Sequence, residues 1–161
     1  MKPLALAAAL ALLAGPALAQ NAGQIASAKG GKSCPGCNLF QADFSHAELR
    51  GKSYAGARLR QADLSLAVMN RANFSGADMR DVTAFGGVFS SANFSGANLG
   101  NSSWVGAFLQ GANFRNADLS GANFSGAELD RASGLTQAQL NKACGDEATT
   151  LPSGLHLPAC R

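Results

Sequence analysis

The chain has 161 residues, with 13 Lys and Arg against 10 Asp and Glu and a formal net charge of +3. That is the length of one domain, and a balance so near neutral gives no electrostatic footing for binding nucleic acid. It holds four cysteines, an even number that reads as two disulfides in an exported chain.

Residues 1–19 read as a secretory signal peptide. Lys2 is a minimal positive start, Leu4 to Leu13 is a short apolar run, and Ala17-Leu18-Ala19 supplies small residues at a cleavage point. The run is too short to span a bilayer, and no second candidate follows. The mature chain is expected to begin near Gln20, periplasmic or secreted, with no stable membrane anchor. Residues 20–33, rich in Gly, Ala and Lys, read as a flexible lead-in.

A period of five residues follows, visible in Ala42-Asp43-Phe44, Ala62-Asp63-Leu64, Ala72-Asn73-Phe74, Ala92-Asn93-Phe94 and Ala122-Asn123-Phe124. With the large residue as centre, the register runs from Leu39 to Leu129 without insertion, giving nineteen centres of which only Ala84 is small. Two residues before each centre stands alanine, except at Cys37, Lys52, Val82, Gly87 and Ser102. A helix cannot host this pattern, because positions five apart drift around all its sides. A short strand can: the small residue and the centre face inward, and the Asp or Asn between them faces out. The remaining two residues make a corner.

These residues resemble the pentapeptide-repeat family, whose pattern is Ala-(Asp/Asn)-Leu-x-x. The resemblance implies an all-β solenoid, a right-handed quadrilateral β-helix with twenty residues per coil. Residues 34–131 would then form about five coils, a rod about 23 Å long. Residues twenty apart should stack in four inward columns. One of these, Tyr54, Phe74, Phe94 and Phe114, is an aromatic ladder. In another, Ala84 lies below Trp104, with Val82 returning part of the missing volume; the alternative is a bulge that turns Phe85 inward.

Residues 132–161 read as a short capping α-helix and an extended tail. Thr136-Gln137-Ala138-Gln139 has the spacing of a capping box, Leu135 and Leu140 stand where a hydrophobic staple would be, and Gly145 stops the helix. Cys144 is expected to bridge Cys160. At the other end, Cys34 and Cys37 open the first coil as a structural disulfide or cap.

Nothing in the pattern marks an enzyme: no catalytic residue, cofactor or metal site is expected. The alternative is a thiol-disulfide redox or metal-binding protein using Cys34 and Cys37, but no βαβ pattern surrounds them. Zinc would need ligands from opposite ends of the rod. Gly31-Lys32-Ser33 lacks the earlier glycine of a phosphate loop, Ala26 standing there. Some members of the family it resembles are cytoplasmic DNA mimics that protect or inhibit gyrase; that role implies an acidic rod, whereas Cys37 to Arg131 holds eight acidic and eight basic residues. The informative departures are apolar residues at outward positions. Val68, Val88 and Phe108 share one column, while Phe85, Val105 and Leu66 lie at the neighbouring corner. This strip either contacts an unknown protein partner, another copy included, or is covered by the tail. Arg58, Arg60 and Arg80 gather on another face around Asp78, as a salt-bridged solvated surface.

Overall fold

The computed structural model describes residues 20–161, so the expected signal peptide lies outside the described residues. In the body, every unit repeats one local geometry. After an inward centre the chain turns, and the next small residue's amide closes the turn on the centre's carbonyl, as Ala42 N does on Leu39 O at 3.1 Å and Ala62 N on Leu59 O at 2.9 Å. The third residue of the turn takes a positive φ. Glycine fills many of these places, yet Gln61 (61°), Leu66 (57°) and Arg71 (59°) hold the same conformation against its steric cost.

A corner every five residues brings residue i+20 beside residue i. Parallel bridges therefore form four ladders. Asn38, Arg58, Asp78, Asn98 and Asp118 make face 1; Asp43, Asp63, Thr83, Ser103 and Asn123 make face 2. Glu48, Val68, Val88, Phe108 and Glu128 make face 3; Ser53, Asn73, Asn93, Asn113 and Ser133 make face 4. The backbone of one coil is satisfied by the next: Leu39 N donates to Arg58 O, and Arg58 N to Cys37 O, both at 2.8 Å.

All nineteen centres are buried, none more than 2% exposed. The aromatic ladder forms as the spacing predicts, with stacked rings 5.4 Å apart from Tyr54 to Phe74, 5.3 Å from Phe74 to Phe94 and 5.2 Å from Phe94 to Phe114. Ala84 stays inward and Phe85 is 54% exposed, so the register runs through this unit without the alternative bulge. Trp104 uses the space above Ala84 and meets Phe89 and Phe94 edge-on, each at 5.2 Å. Gly87 has its own reason, since an added Cβ would lie 2.5 Å from the Phe89 ring.

The N-terminal end corrects the expected flexible lead-in. Ala22–Lys29 form a helix, α1, whose N-cap Asn21 accepts from Gln24 N. Its composition is unremarkable for a helix, but the open end of the coil offers apolar surface and unpaired amides, and tertiary packing decides. Ala28 is fully buried and Ile25 packs on the core. The Gln24 side-chain oxygen accepts from Asn38 N at 2.7 Å, and the Ser33 hydroxyl accepts from Ser53 N at 3.0 Å.

At the other end, α2 (Gln137–Leu140) has the predicted capping box between Thr136 and Gln139. It ends at Asn141 rather than at Gly145. Cys144 instead joins the face 2 ladder beside Asn123, a place that a longer helix would have carried it away from. Leu140 is fully buried, and Gln139 Nε2 donates to the Phe114 and Ala117 carbonyls at 2.9 and 3.0 Å. Gly134 cannot be replaced here: its φ is +72°, and a Cβ would meet Arg115 N at 2.5 Å. The tail is more ordered than its prolines suggest. It pairs with Gly145 through Gly145 N to Pro158 O (2.9 Å) and Cys160 N to Gly145 O (3.0 Å).

Candidate interaction surface

Outward Asp and Asn residues do one recurrent task. Their side-chain oxygen accepts the amide two residues on, at the corner: Ser65 N to Asp63 (2.8 Å), Ser95 N to Asn93 (3.1 Å), Ser120 N to Asp118 (3.1 Å). The Ser45 hydroxyl and amide hold the Asp43 carboxyl below the usual range, and Ser120 does the same for Asp118. These carboxylates are therefore brackets for the backbone, not paired acids.

Face 3 carries no Asp or Asn in its ladder, and on three successive coils its outward residue is apolar. Val68, Val88 and Phe108 are bridged one above another and carry no acceptor for the corner amide. Phe108 is 39% exposed, and around the corner Phe85 and Leu66 are 54% and 44% exposed, with Val68, Val88 and Val105 half-buried beside them. The structure brings all six residues of the expected strip together. The tail does not cover them, because it is held at the end of the rod, where Gln137 brackets the His156 backbone at 3.0 and 3.2 Å.

Sequence reasoning missed the floor of this surface. Gly86 and Gly106 stand between Phe85 and Val105 on one side and Val88 and Phe108 on the other, making a shallow trough along the rod axis. Leu66 closes one end, since a Cβ on Gly86 would come 2.9 Å from its Cδ2. Above Gly106 the space is open, with nothing within 4 Å of an added Cβ. The signal was present in the phase of these glycines against the apolar positions, but glycine is common at corners and does not stand out.

The cysteines are paired locally. Cys34 bonds Cys37, and Cys144 bonds Cys160. Cys34 and Cys37 are only 6% and 9% exposed, under α1. Among the described residues no group of three or more His, Cys, Asp and Glu side chains is placed to hold a metal ion. No helix among them is long and apolar enough to cross a membrane. The arginine face is salt-bridged, with Arg80 to Asp78 at 2.6 Å and Arg60 to Asp81 at 3.2 Å.

A rod of five-residue units with a continuous apolar core and side chains displayed in outward ladders is a repeat solenoid. Its repeat body belongs to the pentapeptide-repeat family, whose profile matches residues 55–83 and 92–131 in 8 copies. Family membership implies the right-handed quadrilateral β-helix. Among solved structures, trypsin-treated QnrB1, a plasmid-mediated fluoroquinolone resistance protein, is 22% identical, with 76% of each chain covered and a TM-score of 0.49. A pentapeptide repeat protein from the Arabidopsis thaliana thylakoid lumen is 33% identical; the match covers 59% of this chain and 63% of that one, at a TM-score of 0.34. Rfr23 from the cyanobacterium Cyanothece 51142 is 21% identical, with 80% and 97% covered and a TM-score of 0.35. No curated protein sequence matches the chain significantly.

Proposed function

We propose that this protein is a non-catalytic, extracytoplasmic scaffold: a rod of nearly five coils, closed at both ends, that binds another protein through the strip formed by Leu66, Val68, Phe85, Val88, Val105 and Phe108. One observation carries the reading. Three successive units of face 3 place apolar side chains in solvent at the outward position where most other units carry an Asp or Asn that brackets the corner amide. The fold gains nothing evident from that exchange, and exposed apolar patches of this kind mark interaction surfaces.

Two locally paired disulfides suit an oxidising compartment. They also weigh against the thiol-disulfide alternative, because a working redox disulfide has to be reached by its substrate and Cys34 and Cys37 are buried. Site-specific photo-crosslinking tests the proposal. A crosslinking side chain in place of Val88 should yield a discrete adduct with a protein from the native extract, and the same group in place of Asn93, on face 4, should yield none. Equal labelling from both positions, or none from Val88, would remove the strip as the interface.

A further inference from the structure

The trough carries a statement about what lies in it. Its floor is bare backbone at Gly106, the Leu66 side chain reaching over Gly86, and its walls are Phe85 and Val105 opposite Val88 and Phe108. From Gly86, where Leu66 closes it, to Gly126 it spans two coil steps, about 10 Å, the length of about three extended residues. A stable protein–protein interface buries about 800 Å² on each side, far more than a strip of six partly exposed side chains supplies. The dimensions therefore suit a short extended segment better than the flat face of a second rod.

Both ends of the trough are acidic. At the closed end, Asp63 lies across the corner from Leu66, and Glu48 is the residue below Val68 in the ladder. At the open end, Glu128 follows Phe108 in the same ladder, and Asp146 accepts the Gly126 amide at 2.8 Å. Hydrogen bonds from the Gly126 amide hold the Asp146 carboxyl below the usual range. The ion pairs among the described residues are Arg50–Glu48, Arg60–Asp81 and Arg80–Asp78, which leave out Asp63, Glu128 and Asp146. Arg50, Arg71 and Arg131 stand at the opposite corner of face 3, from which Arg50 pairs with Glu48 and Gln110 Nε2 donates to the Glu128 carboxylate, whose charge stays without a cation partner among the described residues.

Building on the proposed interface, we infer that the trough binds an extended peptide segment of a partner, with two or three apolar side chains between Val88/Phe108 and Phe85/Val105 and with lysine or arginine flanking them at both ends. The apolar side chains supply contact, and the flanking cations meet Asp63 below and Glu128 and Asp146 above. Charge complementarity of this kind sets which partners are accepted and in what register.

The test uses fluorescein-labelled peptides with a Leu-Val-Phe core flanked by lysine pairs, serine pairs or glutamate pairs, and reads anisotropy with the oxidised protein. The lysine-flanked peptide should bind at least about tenfold more tightly than the glutamate-flanked one, and the gap should narrow with added salt. Asp63→Asn with Glu128→Gln keeps the hydrogen bonds these residues make and should cost the lysine-flanked peptide about threefold or more while leaving the serine-flanked peptide unchanged. Gly106→Asn should abolish binding of all three by filling the floor; Asn101 and Asn116 already hold the same corner conformation at φ 54° and 57°, so the coil tolerates it.

Equal binding of the lysine and glutamate peptides overturns the inference about charge while leaving the apolar interface standing. Binding that survives Gly106→Asn overturns the trough as the site. Failure of every peptide to bind, alongside an intact crosslink from the Val88 position, overturns the extended segment but not the interface. A dimer in sedimentation that Gly106→Asn disrupts assigns the trough to a second copy and likewise overturns it.

Discussion

The indole nitrogen of Trp104 donates to the hydroxyl of Ser102, 2.7 Å away, and both side chains are buried. The Ser102 hydroxyl in turn donates a hydrogen bond to the Leu99 carbonyl at 2.5 Å. The unit with the largest centre thus replaces alanine with the one small residue able to satisfy that centre's polar atom.

Ser102→Ala, although it installs the commonest residue of the repeat, should destabilise the protein by about 1–3 kcal/mol, because it orphans the indole N–H in the core. Ser102→Ala combined with Trp104→Phe should lose less than the two single changes added together. Urea denaturation of the four members of this cycle measures the coupling.

Gly87→Ala should also be destabilising, by about 1–3 kcal/mol, because the Phe89 ring occupies the place of the missing methyl. That ring is hemmed in by Phe74 and Phe94, at 6.2 Å from each, and by Trp104 at 5.2 Å. Adding Phe89→Leu should restore most of the loss in the same denaturation assay.

Tyr54 ends the aromatic ladder with its hydroxyl buried and without a hydrogen-bond partner. Burial pushes its pKa from 10.0 up to about 12. The folded chain therefore keeps a proton that the unfolded chain releases above about pH 10, so this contribution to stability is full below pH 10 and is lost as pH rises towards 12. Tyr54→Phe should raise stability by about 1 kcal/mol at neutral pH and flatten that alkaline loss. Thermal melts across the alkaline range read both effects.

Cys144 and Cys160 close a loop with a sequence separation of 16. Replacing both with alanine should cost about 3 kcal/mol on the chain-entropy model. Hydrogen exchange should show the tail from Leu151 onward losing protection while the coil amides keep theirs, since the ladders of faces 1 and 4 do not depend on the tail.

Most of the fold was legible because the repeat fixes it redundantly: each centre from Leu39 to Leu129 repeats the same inward vote, and the stacking of Tyr54, Phe74, Phe94 and Phe114 follows from spacing alone. The ends were less legible because they are not periodic. α1 owes its order to the coil end it covers, a partner absent from its own residues, and α2 is cut short by the pairing of Cys144 with face 2. Ser102 and Gly87 were visible as departures, yet their reasons lie in contacts with Trp104 and Phe89 that no local pattern encodes. The apolar strip was readable from column arithmetic; the trough was not, because it depends on Gly86 and Gly106 facing the same way as the strip.

The most direct test of the interface replaces Val88→Asn and Phe108→Asn together, writing the repeat's own bracket residue into face 3. The stability of the variant and its photo-crosslinking, from a group placed at Val105, are then measured side by side. The interface account predicts a fold as stable as the parent or up to about 1 kcal/mol more stable, because two corner amides gain an acceptor, together with loss of the adduct. A variant that loses stability yet keeps its partner would contradict it, and would make Val88 and Phe108 residues of the fold rather than of an interface.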